Sequence, residues 1–398
     1  MLNNKIPRKN FIKVLSILTT SAFCPPALYA NASQQDGESI LKCSIYLQAP
    51  KQTQITIRWL TTMPVYSWVE YGEDPAQMNN HQHQSNDGLV NANNTTQAIT
   101  IAGLKPGTTY YYRICSKIII EFKPYKITYG DIFMSEGFSF KTLKKDVSES
   151  EIWVLNDIHD RPNSFEQLFK FHEKTCDFIF LNGDMFNWQK DEQQLIDHLI
   201  NPLVEASGKT IPFILSRGNH ETRGIFARGL HNYFNDVAEK YYYSFTHGAM
   251  YIIVLDSGED KVDENEEYGG IVDFDAYREQ QKIWLQNEIK KKEFKKAKYK
   301  IVFSHIPLFY AGSAHGTQHC HDLWAPILRC AKIDVLISGH THVYGMHAPV
   351  AGKHNYPVII GGGPLDGHRT LIKIKTTQQN LIITAFNDEG KELDSIQL

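Results

Sequence analysis

The chain has 398 residues and a net charge of −3, a length that suffices for two domains, each with its own buried core. The slightly acidic balance excludes a general polyanion binder, because nucleic-acid-binding chains carry a basic excess or stripe. One basic cluster, KKKEFKKAKYK at 290–300, follows a helical pattern (Trp284, Leu285, Ile289) and precedes a strand, so it reads as a solvated helix end.

Taken in chain order, the first segment is a targeting signal. Lys5, Arg8, Lys9 and Lys13 precede or enter an apolar run from Phe11 to Phe23, and Ala30-Asn31-Ala32 supplies the small-x-small pattern of a cleavage site. Residues 1–32 are therefore expected to be a signal peptide, with the mature chain beginning near Ser33 in the periplasm or outside the cell. The stretch Pro7 to Lys13 also resembles a twin-arginine signal with Lys9 in the second arginine position, so either export route stays open. No later apolar run is long enough to span a membrane. Past Cys24 remain Cys43, Cys115, Cys176, Cys320 and Cys330, with no CxxC pair; an oxidising compartment permits a Cys43–Cys115 or a Cys320–Cys330 bridge.

From residue 39 to 142 the chain offers short alternating segments: Ile55 to Trp59, Ser67 to Tyr71, Ala98 to Ile101, Tyr110 to Ile114 and Phe138 to Phe140. Gly, Pro and Asn clusters separate them, which predicts an all-β antiparallel sandwich. Leu104-Lys105-Pro106-Gly107-Thr108-Thr109-Tyr110 resembles the tyrosine-corner turn of a fibronectin type III domain, with Tyr110 at the corner. A polar linker, 144–150, follows.

Residues 151–398 change to strand, loop, helix, strand, an α/β pattern with sheet covered by helices. Helical patterns run over 165–172, 195–204 and 277–289. Five of the apolar runs end in donor atoms: Ile152 to Leu155 in Asn156-Asp157-Ile158-His159, Phe178 to Leu181 in Asn182-Gly183-Asp184, and Phe213 to Leu215 in Gly218-Asn219-His220-Glu221. Ile301 to Phe303 ends in Ser304-His305, and Val335 to Ile337 in Ser338-Gly339-His340-Thr341-His342. A single strand-end Asp is usually a helix cap and a single His usually a turn residue, but five such endings in one domain place oxygen and nitrogen donors where α/β sheets bind ligands.

This ordered set resembles the signature of the calcineurin-like metallophosphoesterase superfamily, and the preceding sandwich is similar to the amino-terminal domain of purple acid phosphatases. The resemblance implies a sandwich of central β-sheets covered by helices, preceded by the fibronectin-like domain. It also implies two divalent or trivalent transition metal ions, of iron, manganese or zinc. Asp157, His159 and His342 would hold the first ion, Asn219, His305 and His340 the second, and Asp184 would bridge them. His220 would face the substrate as an acid, with Glu221 beside it as an orienting group. Gly218 is expected to let the backbone turn. Two departures stand out: the first motif ends in His159 where purple acid phosphatases have Gly, and Asn187 replaces their Tyr three residues after the bridging Asp. Without that phenolate the charge-transfer colour should be absent.

The implied activity is hydrolysis of phosphate monoesters through a metal-bridging hydroxide. A phosphodiesterase built on the same centre is the nearest alternative, and a catalytically inactive surface-binding protein a more distant one. Around the site, Asn187, Arg223 and His315 are candidate substrate contacts, with Arg217, His319 and His321 near them in sequence. Trp188 and Phe186 read as core, lid or substrate platform, Glu259 to Asp275 as a solvated acidic loop, and Gly361-Gly362-Gly363 as a turn.

Overall fold

Pro64 interrupts an otherwise continuous apolar alternation, and its effect sets the shape of the first domain. In the computed structural model, which describes residues 39–145, 149–234 and 237–398, the segments around Ile57 and Val69 belong to one 19-residue strand, β2 (Gln54–Gly72). Its pairing register slips between Leu60 and Val65, where proline lacks the N–H that a regular ladder needs. Its sheet partners are β1 (Tyr46–Gln48), β3 (Asn80–Gln82), β4 (Ala92–Ala102), β5 (Thr109–Lys123), β6 (Lys126–Met134) and β7 (Phe138–Lys141). They form a seven-stranded set ordered β1-β2-β5-β6, with β3 and β4 paired to β2 and β7 to β5. Ile57, Trp59, Tyr112, Ile114 and Phe140 fill its core. The Tyr110 hydroxyl accepts from the Lys105 N–H at 3.0 Å, tying the corner to the chain five residues upstream. The expected signal peptide, residues 1–32, lies outside the described residues.

The second domain is built from two six-stranded sheets. Its elements are β8 (Ser150–Leu155), α1 (Asn163–Phe169), β9 (Phe178–Asn182), α2 (Asn201–Ser207), β10 (Phe213–Ser216), β11 (Tyr243–His247), β12 (Met250–Leu255) and α3 (Phe274–Glu288). They continue with β13 (Tyr299–Ser304), α4 (His315–Ala331), β14 (Val335–Ser338), β15 (Gly345–His347), β16 (Val358–Ile360), β17 (Thr370–Thr376), β18 (Leu381–Asn387) and β19 (Glu392–Gln397). One sheet runs β10-β9-β8-β17-β18-β19 and the other β11-β12-β13-β14-β16-β15. Ile152, Val154, Phe178 and Phe180 of the first pack on Ile252, Val254, Ile301 and Phe303 of the second; the Phe180 and Phe303 rings stack with centroids 4.1 Å apart. The outer faces are covered by α1 and α2 on one side and α3 and α4 on the other. Four layers result, because each sheet is apolar on both faces.

Each sheet holds a run of adjacent parallel strands, β8-β9-β10 in one and β12-β13-β14-β16 in the other. All five donor-bearing strand ends belong to these two sets. No described helix is long and apolar enough to cross a membrane. Neither permitted disulfide forms, since all five described cysteines are free. Cys320 and Cys330 lie ten residues apart on α4, about 15 Å along a helix axis and beyond the reach of a bridge. The acidic stretch departs from a solvated loop as well: Glu259 is buried and engaged with Arg223.

Candidate metal centre

The loops after β8, β9, β10, β13 and β14 meet at one point, held together by their own backbones. Asp157 N–H donates to Gly183 O and His159 N–H to Asp184 O, each at 3.0 Å, while Gly339 N–H donates to His305 O at 2.9 Å. Asp157, His159, Asp184, His340 and His342 all adopt positive φ, between 50° and 72°. Left-handed backbone at a non-glycine residue costs about 1–3 kcal/mol each, so this concentration is sustained by the surrounding structure. It turns each side chain inward as soon as its strand ends.

Asp157 Oδ1 lies 3.6 Å from His159 Nε2 and 3.4 Å from His342 Nε2, and those two ring nitrogens face each other at 3.0 Å. Asp184 Oδ2 is 3.0 Å from His305 Nε2 and 3.7 Å from His159 Nε2. His340 Nδ1 and Asn219 Oδ1 are 3.0 Å apart. One carboxylate oxygen, that of Asp184, thus stands between a donor of each trio. With metal–ligand bonds of about 2.1 Å, neighbouring donors in one coordination shell are about 3 Å apart, which these spacings match.

Two further observations test the fit to cations. Asp157 Oδ1 and His305 Nε2 are buried and have no hydrogen-bond partner, an arrangement that native structures rarely keep without a bound group. The charge balance also calls for positive charge. Burial alone would raise both aspartates, yet the neighbouring imidazoles hold Asp157 and Asp184 below the usual carboxylate range. Burial would lower His305, but attraction to Asp184 and Asp157 takes it up to about 10. A proton or a metal cation satisfies two buried carboxylates here; the donor set suits the latter. Burial and the charge near His305 push His340 down to about 4.

Gly218 is required for space and not for a turn. Its φ is not left-handed, but a Cβ there would run into the Asp184 carboxylate. The same holds for Gly339 against Asp157, and Gly361 and Gly363 leave room for Asn156 and His342. The triple glycine thus lies against the site, a role its composition alone did not reveal. Asn156 was also passed over: its Nδ2 donates to Asp157 Oδ2 at 2.6 Å and to Gly362 O at 3.0 Å, orienting the aspartate. Its position just before Asp157 was the available signal.

His220 sits at the rim, with 25% of its side chain exposed and Nε2 3.9 Å from Asp184 Oδ2. In place of a Tyr or Asp side chain, the main-chain oxygen of Asn187 accepts from His220 Nδ1 at 2.6 Å. Asn187 is fixed in turn by Asp160, which accepts from its N–H at 2.8 Å and from Nδ2 at 2.9 Å. That leaves Nε2 of His220 directed at the site, where Arg223 Nη1 approaches to 3.2 Å. Burial, with help from Arg223 and His159, holds the ring below its ordinary value.

Glu221 requires a correction. It does not touch the His220 ring but is wholly buried, and its carboxylate accepts from the N–H groups of Asp184, Met185 and Gly218 at 2.7–2.8 Å. Burial and the Asp184 charge push it up to about 7. It is a positioning residue for two loops. Asn187 likewise spends its amide on Asp160, and Arg223 spends its fork on Glu259 and Asp260. Arg217 is held by Asp256 and lies over the Tyr241 ring. His315 turns to Asp275, and His321 bonds its neighbour Asp322. Phe186 is core, whereas Trp188 is 57% exposed.

Residues 150–344 match the family described as Calcineurin-like phosphoesterase, and residues 42–142 match the purple acid phosphatase N-terminal domain. The chain carries a calcineurin-like metallophosphoesterase domain, that of a metal-dependent hydrolase of phosphoric esters. Within that class it is purple acid phosphatase-like. Purple acid phosphatase 21 of Arabidopsis thaliana is 24% identical over 349 residues, covering 82% of this chain and 71% of the relative. Purple acid phosphatase 22 of the same plant is 24% identical over 298 residues, covering 70% and 61%. Among solved structures, purple acid phosphatase PPD1 from yellow lupin aligns at 14% identity with a TM-score of 0.65, over 89% of this chain and 73% of that one. PhoD aligns at 11% identity with a TM-score of 0.63, over 90% and 93%. At such identities the structural likeness speaks for the fold.

Proposed function

We propose that this protein is an exported phosphatase that hydrolyses phosphate monoesters at a binuclear metal centre. The observation that carries the reading is the position of Asp184 Oδ2 between His305 and His159, one donor from each trio. Asp157, His159 and His342 would hold one ion and Asn219, His305 and His340 the other, with the Asp184 carboxylate placed to serve both. When bound, the ions supply Lewis acidity, activating the attacking water and neutralising charge on the phosphoryl oxygens. The chain's own groups do the rest. The Asn187 carbonyl fixes a proton on Nδ1 of His220, so Nε2 is the atom that serves the leaving oxygen. Arg223, itself held by Glu259, reaches that same Nε2 at 3.2 Å and keeps it turned to the site.

The monoester preference is supported by the two-domain resemblance to purple acid phosphatases, and export by the basic, apolar and small-residue pattern of residues 1–32. Metal-loaded protein is expected to cleave nitrophenyl phosphate and to leave bis-nitrophenyl phosphate largely intact. Cleavage of the second alone would make the enzyme a diesterase. Cleavage of neither, with ions bound, would favour the inactive binding protein.

A further inference from the structure

A second convergence of metal-type donors lies outside the seven residues of the catalytic centre. His315 and His319 stand one helical turn apart at the start of α4, and both rings reach Asp275 on the first turn of α3. His315 Nε2 is 2.8 Å from each carboxylate oxygen, His319 Nδ1 is 2.9 Å from Oδ1, and all three residues offer ligand atoms within 4.8 Å of one another. The i, i+4 spacing puts both imidazoles on one helix face, the arrangement by which helices present histidine pairs to zinc.

The simplest alternative is an ordinary ion-pair cluster, and the hydrogen-bond count strains it. Arg278 already neutralises Asp275, donating to Oδ1 at 2.7 Å from a fully buried guanidinium that also binds the Ser257 and Glu259 carbonyls. Oδ1 therefore faces three donors, while a carboxylate oxygen has two lone pairs. Two neutral imidazoles that turn lone pairs toward a shared cation, with Oδ2 as third ligand, use the same atoms without that crowding.

We propose that Asp275, His315 and His319 form an auxiliary site for a divalent transition ion of the zinc type. Three protein donors leave room for water in the shell. The side chains are 21–38% exposed, which gives an ion access from solvent. Arg278 beside the carboxylate weakens the site, so chelators strip it before the catalytic pair. The site adjoins that pair through short contacts: Gly316 N–H donates to Asp260 O at 2.8 Å, and Asp260 lies 3.4 Å from Arg223, the partner of His220. Occupancy of the site steadies the start of α4 against that contact.

The test counts a difference and does not depend on the catalytic reading. Metal-stripped parent protein, His319→Ala and His315→Gln are dialysed to equilibrium against the same Zn²⁺ buffer, and zinc per chain is measured by elemental analysis, with melting curves to establish folding. One zinc fewer in the folded variants than in the parent is expected, with a smaller zinc-induced rise in melting temperature. Asn219→Ala serves as the reference for the catalytic pair: adding His319→Ala to it should remove one further zinc. Equal zinc in parent and variants, or loss of more than one ion from His319→Ala, overturns the proposal. Should His319→Ala fail to fold, His315→Gln decides by the same count.

Discussion

His220 and His305 are both imidazoles on loops of the same centre, yet burial assigns them different work. His305 is fully buried with Nε2 3.0 Å from Asp184 and no hydrogen-bond partner for that nitrogen, whereas His220 stands at the rim with Nδ1 already engaged. Replacing His305 by Ala is therefore expected to cost metal content first, and Asn219→Ala should do the same. His220→Ala should keep its metal and lose turnover by about 10²–10⁴-fold, the range typical of a positioned proton-transfer group. Elemental analysis beside steady-state kinetics separates the two outcomes. Loss of metal from His220→Ala would make that ring a ligand instead, grouped with His159 and Asp184. Residue types and order made the seven donors legible in the sequence. The duties of Glu221 and Arg223 were not, because a buried carboxylate that clamps amides looks, in sequence, like one that faces substrate.

At the scale of elements, the centre depends on loops that leave their strands abruptly and pass very close to one another. Gly218 is the clearest instance, since any Cβ there would occupy the space of the Asp184 carboxylate. Gly218→Ala should destabilise the fold by about 1–3 kcal/mol through overpacking and lower metal content by displacing the bridging group. Gly137→Ala is the fitting control: its φ is not left-handed, and the added carbon would meet only the Met78 methyl at an ordinary 3.6 Å. Equal metal content in both variants would mean that the loops tolerate the shift. The strands that feed these loops were readable because they are uniformly apolar, and burial of both faces removes any alternation. β19 was not, for the opposite reason: it lies at a sheet edge and is almost wholly exposed, so it carries no apolar run. The pairing of two sheets face to face was legible only through the family resemblance, since an apolar strand does not itself reveal which neighbour covers it.

For the whole molecule, the two domains are continuous in their packing. Cys43, Tyr46 and Leu60 from the sandwich belong to the same buried cluster as Trp153, Leu155 and Phe213 beneath the first sheet. Tyr46 stacks on Phe213 with ring centroids 5.7 Å apart, Ser44 N–H donates to Asn201 Oδ1 at 2.7 Å, and Lys42 pairs with Glu192 at 2.7 Å. The polar linker at 144–150 marks a boundary in the chain, but its composition does not report what packs across it. Phe213 begins β10, the strand whose end delivers Asn219 and His220, so the sandwich braces one wall of the centre. The two domains should consequently melt in a single transition. Tyr46→Ala removes a side chain that is 1% exposed, a truncation that costs about 3 kcal/mol. The shared transition should then fall by roughly 6–12 °C, given about 2–4 °C per kcal/mol for domains of about 150–250 residues. Calorimetry decides the point: if the variant splits into two transitions, with the catalytic part melting where it did before, the sandwich is a passenger, and the brace must be sought within the catalytic domain alone.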